Sequence, residues 1–331
     1  MKKFFNKIRN RIQQTLLPFQ IALYDGFRMY RYSVQKDRAD REKMQALITC
    51  HYHVIEKGLS MKEVRPLFGK DVVPRLIELL DGYERAGHDP NDRVYQTAIQ
   101  VLAAYSEYHE ELAGIEPLTE PLASIKNFFK EAGVRKISDV SGGTKCLTRA
   151  EVLAGARGSF PELMTSRYSV RDFGTLPVAV EDISKAVQWA QKSPSVCNRQ
   201  EVRVFAVKDA EKIKKILLIQ GGARGFAEQI DTLLIVGGDL RAFHSPVERN
   251  QVYCDSGIFA MSLLLGLHHL GLGACPLHWC VDPAKDRQLR ELADISPACS
   301  VAMLIAVGTL TEQFNVAFSQ RIEMEKVLFW R

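Results

Sequence analysis

Residues 166–173 read SRYSVRDF and residues 193–200 read SPSVCNRQ, and these two stretches decide the expected fold. Between them runs EDISKAVQWA, residues 181–190, whose apolar positions recur at helical spacing. After them VRVFAV, residues 202–207, is a β-branched run typical of a strand. The sequence therefore predicts two polar loops held on one helix and one strand.

The side chains of these two loops suit an anionic, planar ligand. Arg167 and Arg171 supply fixed cations for the charge-assisted bonds that a phosphate accepts, and Ser169 adds a hydroxyl between them. The amides of Asn198 and Gln200 each carry a donor and an acceptor, which the edge of a flavin ring requires. We expect Arg171 near the flavin, because a cation there stabilises the reduced, anionic ring, and Arg167 at the ribityl phosphate.

The two stretches resemble the FMN-binding signature of the nitroreductase family, R-x-S-x-(R/K)-x-F followed by (A/S)-P-S-x-x-N-x-Q. Further features similar to the family's follow in order: DSGIFAMSLLLGLHHLGLG from Asp255, ACPLHW from Ala274, an apolar strand ending in VGT, and a late arginine, Arg321. This resemblance implies an α+β fold with a nitroreductase-type central mixed β-sheet flanked by helices, preceded by an all-α N-terminal region.

The resemblance also implies FMN as cofactor, NAD(P)H as electron donor and a small molecule as acceptor. The cofactor-binding residues that it implies are Arg167, Tyr168, Ser169, Arg171, Pro194, Ser195, Asn198, Gln200, Pro276, Leu277, His278 and Arg321. Pro276 to His278 would cover one face of the ring, and Arg321 would bind the phosphate. His278 is in addition a candidate general acid, since histidine titrates near neutral pH; alternatively it only stacks or points to solvent. The sequence identifies no other candidate for a catalytic residue.

Two other functions stay open. Some proteins of the same fold act as flavin-dependent oxidases or desaturases, and a rival from another class is a non-catalytic flavin-binding, membrane-associated assembly protein. By the resemblance, His244, Arg249 and Tyr253 lie near the substrate side of the flavin, with surface or packing roles as the alternative. No G-x-G-x-x-G motif is present, so the sequence does not separate NADH from NADPH as donor.

Residues 255–270 form a predicted apolar helix with a smooth side made by Gly257, Ala260 and Gly266. Small residues allow two helices to approach closely, and the resemblance implies that this helix forms the core of a homodimer with two FMN at the interface. The alternative is a core helix of a monomer.

The sequence divides into a helical N-terminal region over residues 1–132, a linker or covering loop over 133–160, and the flavin domain over 161–331. The helices predicted in the first region cover residues 37–57, 72–86, 91–113 and 119–132.

The patch HYHVIEKGL, residues 51–59, predicts a helix end with Gly58 as its stop, because His53 and Glu56 alone are too few for a metal site. This patch and the residues after it are also similar to a helical extension on some nitroreductase-like proteins of surface-polysaccharide gene clusters. That resemblance implies a role in surface-polysaccharide biosynthesis.

The composition narrows the classes of function and the cellular locations that remain. The formal charge of +5 over 331 residues is too small and dispersed to indicate nucleic-acid binding. Seven cysteines without a C-x-x-C pair indicate reduced thiols in a cytoplasmic protein. Residues 1–31 are basic and amphipathic, so they can lie on an anionic membrane at its inner face; we favour the alternative, a helix that packs Phe4, Ile8 and Ile12 on the body.

Overall fold

The computed structural model describes residues 2–32, 39–112, 120–131 and 142–331, without the side chains of residues 2–11, 13 and 14. The chain divides into two compact units. The sheet unit comprises Met1–Ser33, Ala150–Arg167 and Phe173–Leu310. The helical unit comprises Val34–Arg149, Tyr168–Asp172 and Thr311–Arg331.

The described residues form the following helices and strands in chain order. The helices are α1 (Lys2–Tyr32), α2 (Arg41–Leu59), α3 (Val72–Arg85), α4 (Arg93–Glu110), α5 (Leu122–Glu131), α6 (Arg149–Ala156), α7 (Phe160–Ser166), α8 (Val180–Ala190), α9 (Ala210–Gln220), α10 (Gln251–His269) and α11 (Pro283–Ala293). The strands are β1 (Thr144–Thr148), β2 (Val202–Val207), β3 (Thr232–Asp239), β4 (Leu272–His278), β5 (Cys299–Thr309) and β6 (Gln313–Ala317). The predicted start at residue 37 and the predicted ends at 113 and 132 lie outside the described residues.

The sheet unit is built on four strands in the order β2–β3–β5–β4. Every neighbouring pair is antiparallel. The α+β fold with a helical N-terminal region is confirmed, but the described central sheet is antiparallel rather than mixed. The reason is that β3 and β4, which α10 joins, run in the same direction, and β5 lies between them and runs opposite to both.

Both faces of this sheet are buried. On one face, Leu234, Val236 and Ile305 pack in a single core with apolar side chains of α8 and α10. On the other face, the alternate residues Leu233 and Ile235 are also fully buried. Such double burial explains why β3 reads as a continuous apolar run in the sequence.

The helical unit has its own apolar core. Asp40 begins α2 by accepting a hydrogen bond from the backbone amide of Lys43, at 3.0 Å. From there Met44, Ile48 and Ile55 recur at helical spacing, and all are buried together with residues of α3, α4 and α5. This core contains none of the sheet's residues.

Gly58 does not end α2, which continues to Leu59, so its assignment as a helix stop is wrong. Its small size instead admits the ring of Phe68, since a Cβ built at Gly58 would lie 2.0 Å from a ring carbon of Phe68. That ring is held in turn by Tyr105, with 5.1 Å between ring centroids. The glycine is therefore required by packing.

We expect Gly58→Ala to lower the free energy of unfolding by about 1–3 kcal/mol, because the added methyl overpacks the contact with Phe68. Urea denaturation measures the change. Gly82→Ala is the matched control in α3: its Cβ would lie 3.4 Å from the terminal methyl of Met44, and alanine favours the helix by up to about 1 kcal/mol. Equal denaturation midpoints for the two variants would contradict this packing role.

The segment predicted as a linker or covering loop contains regular structure where it is described. Residues 144–148 form β1, which pairs antiparallel with β6, and α6 and the start of α7 follow. Residues 132–141 lie outside the described residues. The sequence did not predict β1 because its ladder partner is β6, about half the chain away.

The side chains of helix α1 do not pack in the way that we favoured from the sequence. Ile12 is 53% exposed, so its expected burial on the body is wrong; the side chains of Phe4 and Ile8 lie outside the description. Along the rest of the helix, Leu17 and Ile21 are half-buried. None of the helices described here is both long enough and apolar enough to span a bilayer.

Candidate functional site

The loop that carries Asn198 and Gln200 adopts a strained backbone. Cys197, Asn198 and Gln200 have φ angles of 50°, 54° and 52°, in the left-handed region that side-chain-bearing residues rarely occupy. The hydroxyl of Ser195 accepts a hydrogen bond from the backbone amide of Gln200 at 3.0 Å and so closes the turn. Both amide side chains are exposed. Backbone strain of this kind persists where surrounding contacts hold it and is common at ligand sites.

Two buried carboxyl groups lie beneath this turn. Asp255, at the start of α10, accepts from the backbone amide of Val196 at 3.0 Å and from the side chain of Gln251 at 2.8 Å. Glu201 is 1% exposed, and no donor in the described part of the chain reaches either of its carboxyl oxygens. Asp255 thus fixes the turn to α10. We call Asp255 and Glu201 the acid pair.

The two acids have opposite pKa shifts. Burial raises the pKa of Glu201, and the neighbouring Asp255 raises it further. Burial also acts to raise the pKa of Asp255, but the hydrogen bonds that it accepts and the charge of Arg199 bring it below its ordinary value. The negative charge of the pair is therefore favoured on Asp255, and Glu201 holds its proton more tightly than an isolated glutamate does.

A cavity of about 120 Å³ opens beside the turn. Its lining includes Pro194, Ser195, Gln200, Arg203, Asp255 and Phe259. The Arg203 guanidinium donates through Nη1 to the backbone carbonyl of Gln200 at 3.0 Å, which places a cation at the cavity. Donors, acceptors, a cation and an aromatic ring therefore meet at one point of the sheet unit.

The end of β4 supplies the second predicted part of the site. Pro276 and His278 are exposed, and Leu277 between them is buried. The carbonyl of His278 accepts from the Gln220 side chain at 3.1 Å, and its Nδ1 accepts from the backbone amide of Cys280 at 3.3 Å. The neutral ring of His278 therefore carries its proton on Nε2.

The turn and the end of β4 lie at the same end of the sheet. Gln200 lies two residues before the start of β2, which begins opposite the end of β3, and β4 ends opposite the first half of β5. Strands β2 and β4 are three strand spacings apart, roughly 14 Å. A single ligand that contacts Gln200 and His278 must therefore be elongated.

Arg167 directly follows α7 within the sheet unit, and α7 contacts α10. On α10, burial lowers the pKa of His268 to about 4, and the charges of Arg167 and His269 act in the same direction. The Nε2 of His268 lies 2.8 Å from the hydroxyl of Ser166. His268 is neutral at neutral pH and adds no second positive charge beside Arg167.

The other predicted residues lie in the helical unit. Arg171 is 6% exposed; its Nη1 donates to the Ser169 carbonyl at 3.4 Å, and its buried Nε meets no acceptor among the described residues. The ammonium of Lys145 lies 5.7 Å from the centre of the Tyr168 ring. Arg321 is exposed and donates to the backbone carbonyl of Ser319 at 3.0 Å.

Within the sheet unit, the structure brings Pro194, Ser195 and Gln200 to one cavity, with Asn198 on the same turn. The candidate substrate contacts have other partners. Arg249 forms two hydrogen bonds to Asp25 of α1, at 2.6 and 2.9 Å, and the hydroxyl of Tyr253 lies 3.0 Å from that of Ser300. The side chain of His244 is 82% exposed and 3.8 Å from Glu248.

Sequence reasoning missed Glu201, Arg203 and Asp255. Asp255 had one usable signal, an acid at the start of an otherwise apolar helix, where burial demands a partner. For Arg203 the sequence offers no signal beyond its place in a strand, because only the turn of residues 197–200 brings it beside the cavity.

The chain was compared with protein families and with curated proteins. The model described as the nitroreductase family matches residues 164–223 and 218–309. An FMN reductase [NAD(P)H] of Bacillus subtilis (strain 168) is 30% identical over 111 residues, which are 34% of this chain and 42% of that protein. The match thus spans less than half of the relative's length.

Solved structures also resemble the chain. An FMN-dependent nitroreductase from Clostridium difficile R20291 is 24% identical, with a TM-score of 0.43, over 50% of this chain and 96% of that one. A nitroreductase family protein from Streptococcus pneumoniae TIGR4 is 19% identical, with a TM-score of 0.45, over 52% of this chain and 100% of that one. Residues 164–309 of the chain, which hold the strained turn, the acid pair and β4, therefore match the nitroreductase family.

Proposed function

We propose that the protein is an FMN-dependent oxidoreductase that takes hydride from NAD(P)H and reduces a small-molecule acceptor. The observation that carries the proposal is the strained turn of residues 197–200, which presents two amide side chains beside a cavity inside the family match. The name of the B. subtilis relative, FMN reductase [NAD(P)H], supports the same cofactor and donor.

The residues present fit this cofactor. Asn198 and Gln200 each offer a donor and an acceptor, as the polar edge of the isoalloxazine ring requires. Arg203 adds a cation at the cavity of the sheet unit. Within the helical unit by itself, the buried Nε of Arg171 has no acceptor among the described residues and can donate to an anionic oxygen. When bound, FMN supplies the hydride chemistry. The chain's part is to bind and orient the ring, and Asp255 holds the turn in place for that task.

We assign no catalytic acid. His278 is exposed at the end of β4, and its neutral form can donate only from Nε2. Since hydride transfer to a flavin needs no protein acid, we propose that Pro276, Leu277 and His278 cover one face of the ring.

The absorption spectrum of the purified protein tests the proposal. We expect flavin bands that bleach when NADH or NADPH is added without oxygen. Bound flavin that ignores both donors would favour the oxidase or the non-catalytic binding protein, and purified protein that neither contains nor takes up FMN would contradict all three.

We further propose a homodimer formed through α10. A Cβ added at Gly257 would meet no atom within 4 Å, and the neighbouring Ile258 is 45% exposed, so this side of the helix is smooth and open. Gly266, by contrast, packs within the chain, where its Cβ would lie 3.3 Å from Ala186 of α8. Sedimentation velocity of the protein and of Ile258→Glu tests the proposal, since the variant should be monomeric.

Two further assignments, the location and the pathway, each rest on one observation. All seven cysteines are free thiols, which fits a reducing compartment, so we propose a cytoplasmic location. A role in surface-polysaccharide biosynthesis is proposed on the resemblance of the helical region alone.

A further inference from the structure

Helix α1 carries an apolar stripe on its exposed side. Its members recur at spacings of four, three, four and four residues, which keeps them within about a quarter of the helix circumference. They are Ile12, Leu16, Phe19, Leu23 and Phe27, with exposed fractions of 53%, 48%, 66%, 74% and 63%. We call these five residues the α1 stripe.

The opposite side of α1 holds the helix on the sheet unit. Leu17, Ile21 and Asp25 recur every four residues on that side and are half-buried. Asp25 forms its two-bond ion pair with Arg249, and α1 contacts the turn Pro246–Glu248. The α1 stripe therefore does not serve to attach the helix to its own unit.

Charge is concentrated on this helix. Residues 2–31 contain seven basic residues and one acid, Asp25, a net charge of +6. The whole chain has a formal net charge of +5, so its other residues sum to −1. Arg249 already neutralises the one acid of α1. The helix thus combines an exposed apolar stripe with nearly unopposed positive charge.

We propose that α1 docks the protein on an anionic membrane surface, with the α1 stripe at the boundary between headgroups and acyl chains. A helix with one apolar side and basic residues beside it binds such a surface through both features. Each cation near the headgroups adds to the attraction. The helix would lie in the plane of the membrane surface.

A second copy of the chain fits the α1 stripe less well. Helices that pair through an apolar seam are favoured by opposite charges at its flanks. Here α1 carries seven basic residues and one acid, and that acid already has a partner, so two copies of α1 would repel each other. Anionic lipid is complementary to the same charges.

Co-sedimentation of the full chain with lipid vesicles tests the docking. We expect at least tenfold stronger binding to vesicles of 70% phosphatidylcholine and 30% phosphatidylglycerol than to pure phosphatidylcholine. The binding should weaken as salt rises from 0.05 to 0.5 M, because salt screens the attraction. The double variant Phe19→Glu with Leu23→Glu should reduce it at least tenfold.

Leu218→Glu is the matched control, since Leu218 is 75% exposed on α9 and belongs to another surface. We expect it to bind vesicles as the unaltered protein does. Arg28→Gln with Arg31→Gln tests the charge separately and should weaken binding roughly fivefold for each cation removed. Circular dichroism of all variants should be unchanged, because the altered side chains are exposed.

Two results would overturn the proposal. One is vesicle binding that survives the double stripe variant unchanged. The other is failure of the unaltered protein to bind anionic vesicles; if sedimentation velocity then shows that the stripe variant dissociates a dimer, a second copy is the occupant of the α1 stripe.

Discussion

Replacing Arg171 by alanine is expected to weaken FMN binding by about 10- to 150-fold. A hydrogen bond to a charged group contributes about 1.5–3 kcal/mol, and each 1.4 kcal/mol is a factor of ten in the dissociation constant. Arg171 is buried, and its Nε has no acceptor in the described residues, so an anionic oxygen of a ligand would be its natural partner. Quenching of flavin fluorescence during titration of the apoprotein with FMN measures the change.

Arg171→Lys separates charge from geometry. Lysine keeps the positive charge but lacks the planar fork of donors, so we expect affinity between those of the unaltered protein and the alanine variant. Arg241→Ala is the control, since Arg241 is exposed and paired with Asp239 at 2.7 Å. If Arg171→Ala folds with an unchanged melting temperature and retains FMN as the unaltered protein does, Arg171 does not bind the cofactor.

A rise in pH above the ordinary pKa of a glutamate is expected to destabilise the protein through Glu201. Because burial and Asp255 raise the pKa of Glu201 in the folded state, the folded chain binds this proton more tightly than the unfolded chain. Its contribution to stability is therefore complete below the ordinary pKa of a glutamate and is lost as the pH rises through the raised value. Each unit by which the pKa is raised costs about 1.4 kcal/mol of stability at high pH.

Asp255 acts in the opposite direction. Its folded pKa is lowered, so its contribution to stability is present above the ordinary pKa of an aspartate and is lost as the pH falls through the lowered value. Both contributions are therefore complete together only near the ordinary pKa values of the two acids, and the ionised form of Asp255 is the state that accepts the backbone hydrogen bond. The turn of residues 197–200 depends on this state, because Asp255 holds the amide of Val196.

Glu201→Gln should remove this loss of stability, because an amide stays neutral at every pH. We expect the melting temperature of the variant, measured relative to the unaltered protein, to increase as the pH rises above the ordinary pKa of a glutamate and to become constant above the raised value. Glu228→Gln is the control, since the Glu228 side chain is 83% exposed, and its relative melting temperature should stay constant. Parallel pH profiles of Glu201→Gln and the unaltered protein would show that Glu201 is not protonated in the fold.

Local pattern determined much of the architecture. The helices predicted in the N-terminal region match α2 to α5 within a few residues wherever the chain is described. The reason is that each helix has apolar residues at helical spacing, which the sequence shows directly. Strands β3 and β5 were predicted for the same kind of reason, since burial on both faces requires a continuous apolar run. The turn of residues 197–200 was placed by its position between a helix and a strand.

Interactions between residues that are distant in the sequence decided the remaining features of the architecture. Strand β1 exists through its ladder with β6, and the antiparallel sheet follows from β5 entering between β3 and β4. Gly58 is explained by the Phe68 ring, and the raised pKa of Glu201 by burial next to Asp255. The sequence by itself determined which residues form helices and strands and which polar groups the loops carry. Tertiary structure alone decided which strands are neighbours, which acids are buried together and which side of α1 stays exposed, because each depends on contacts that local spacing does not encode.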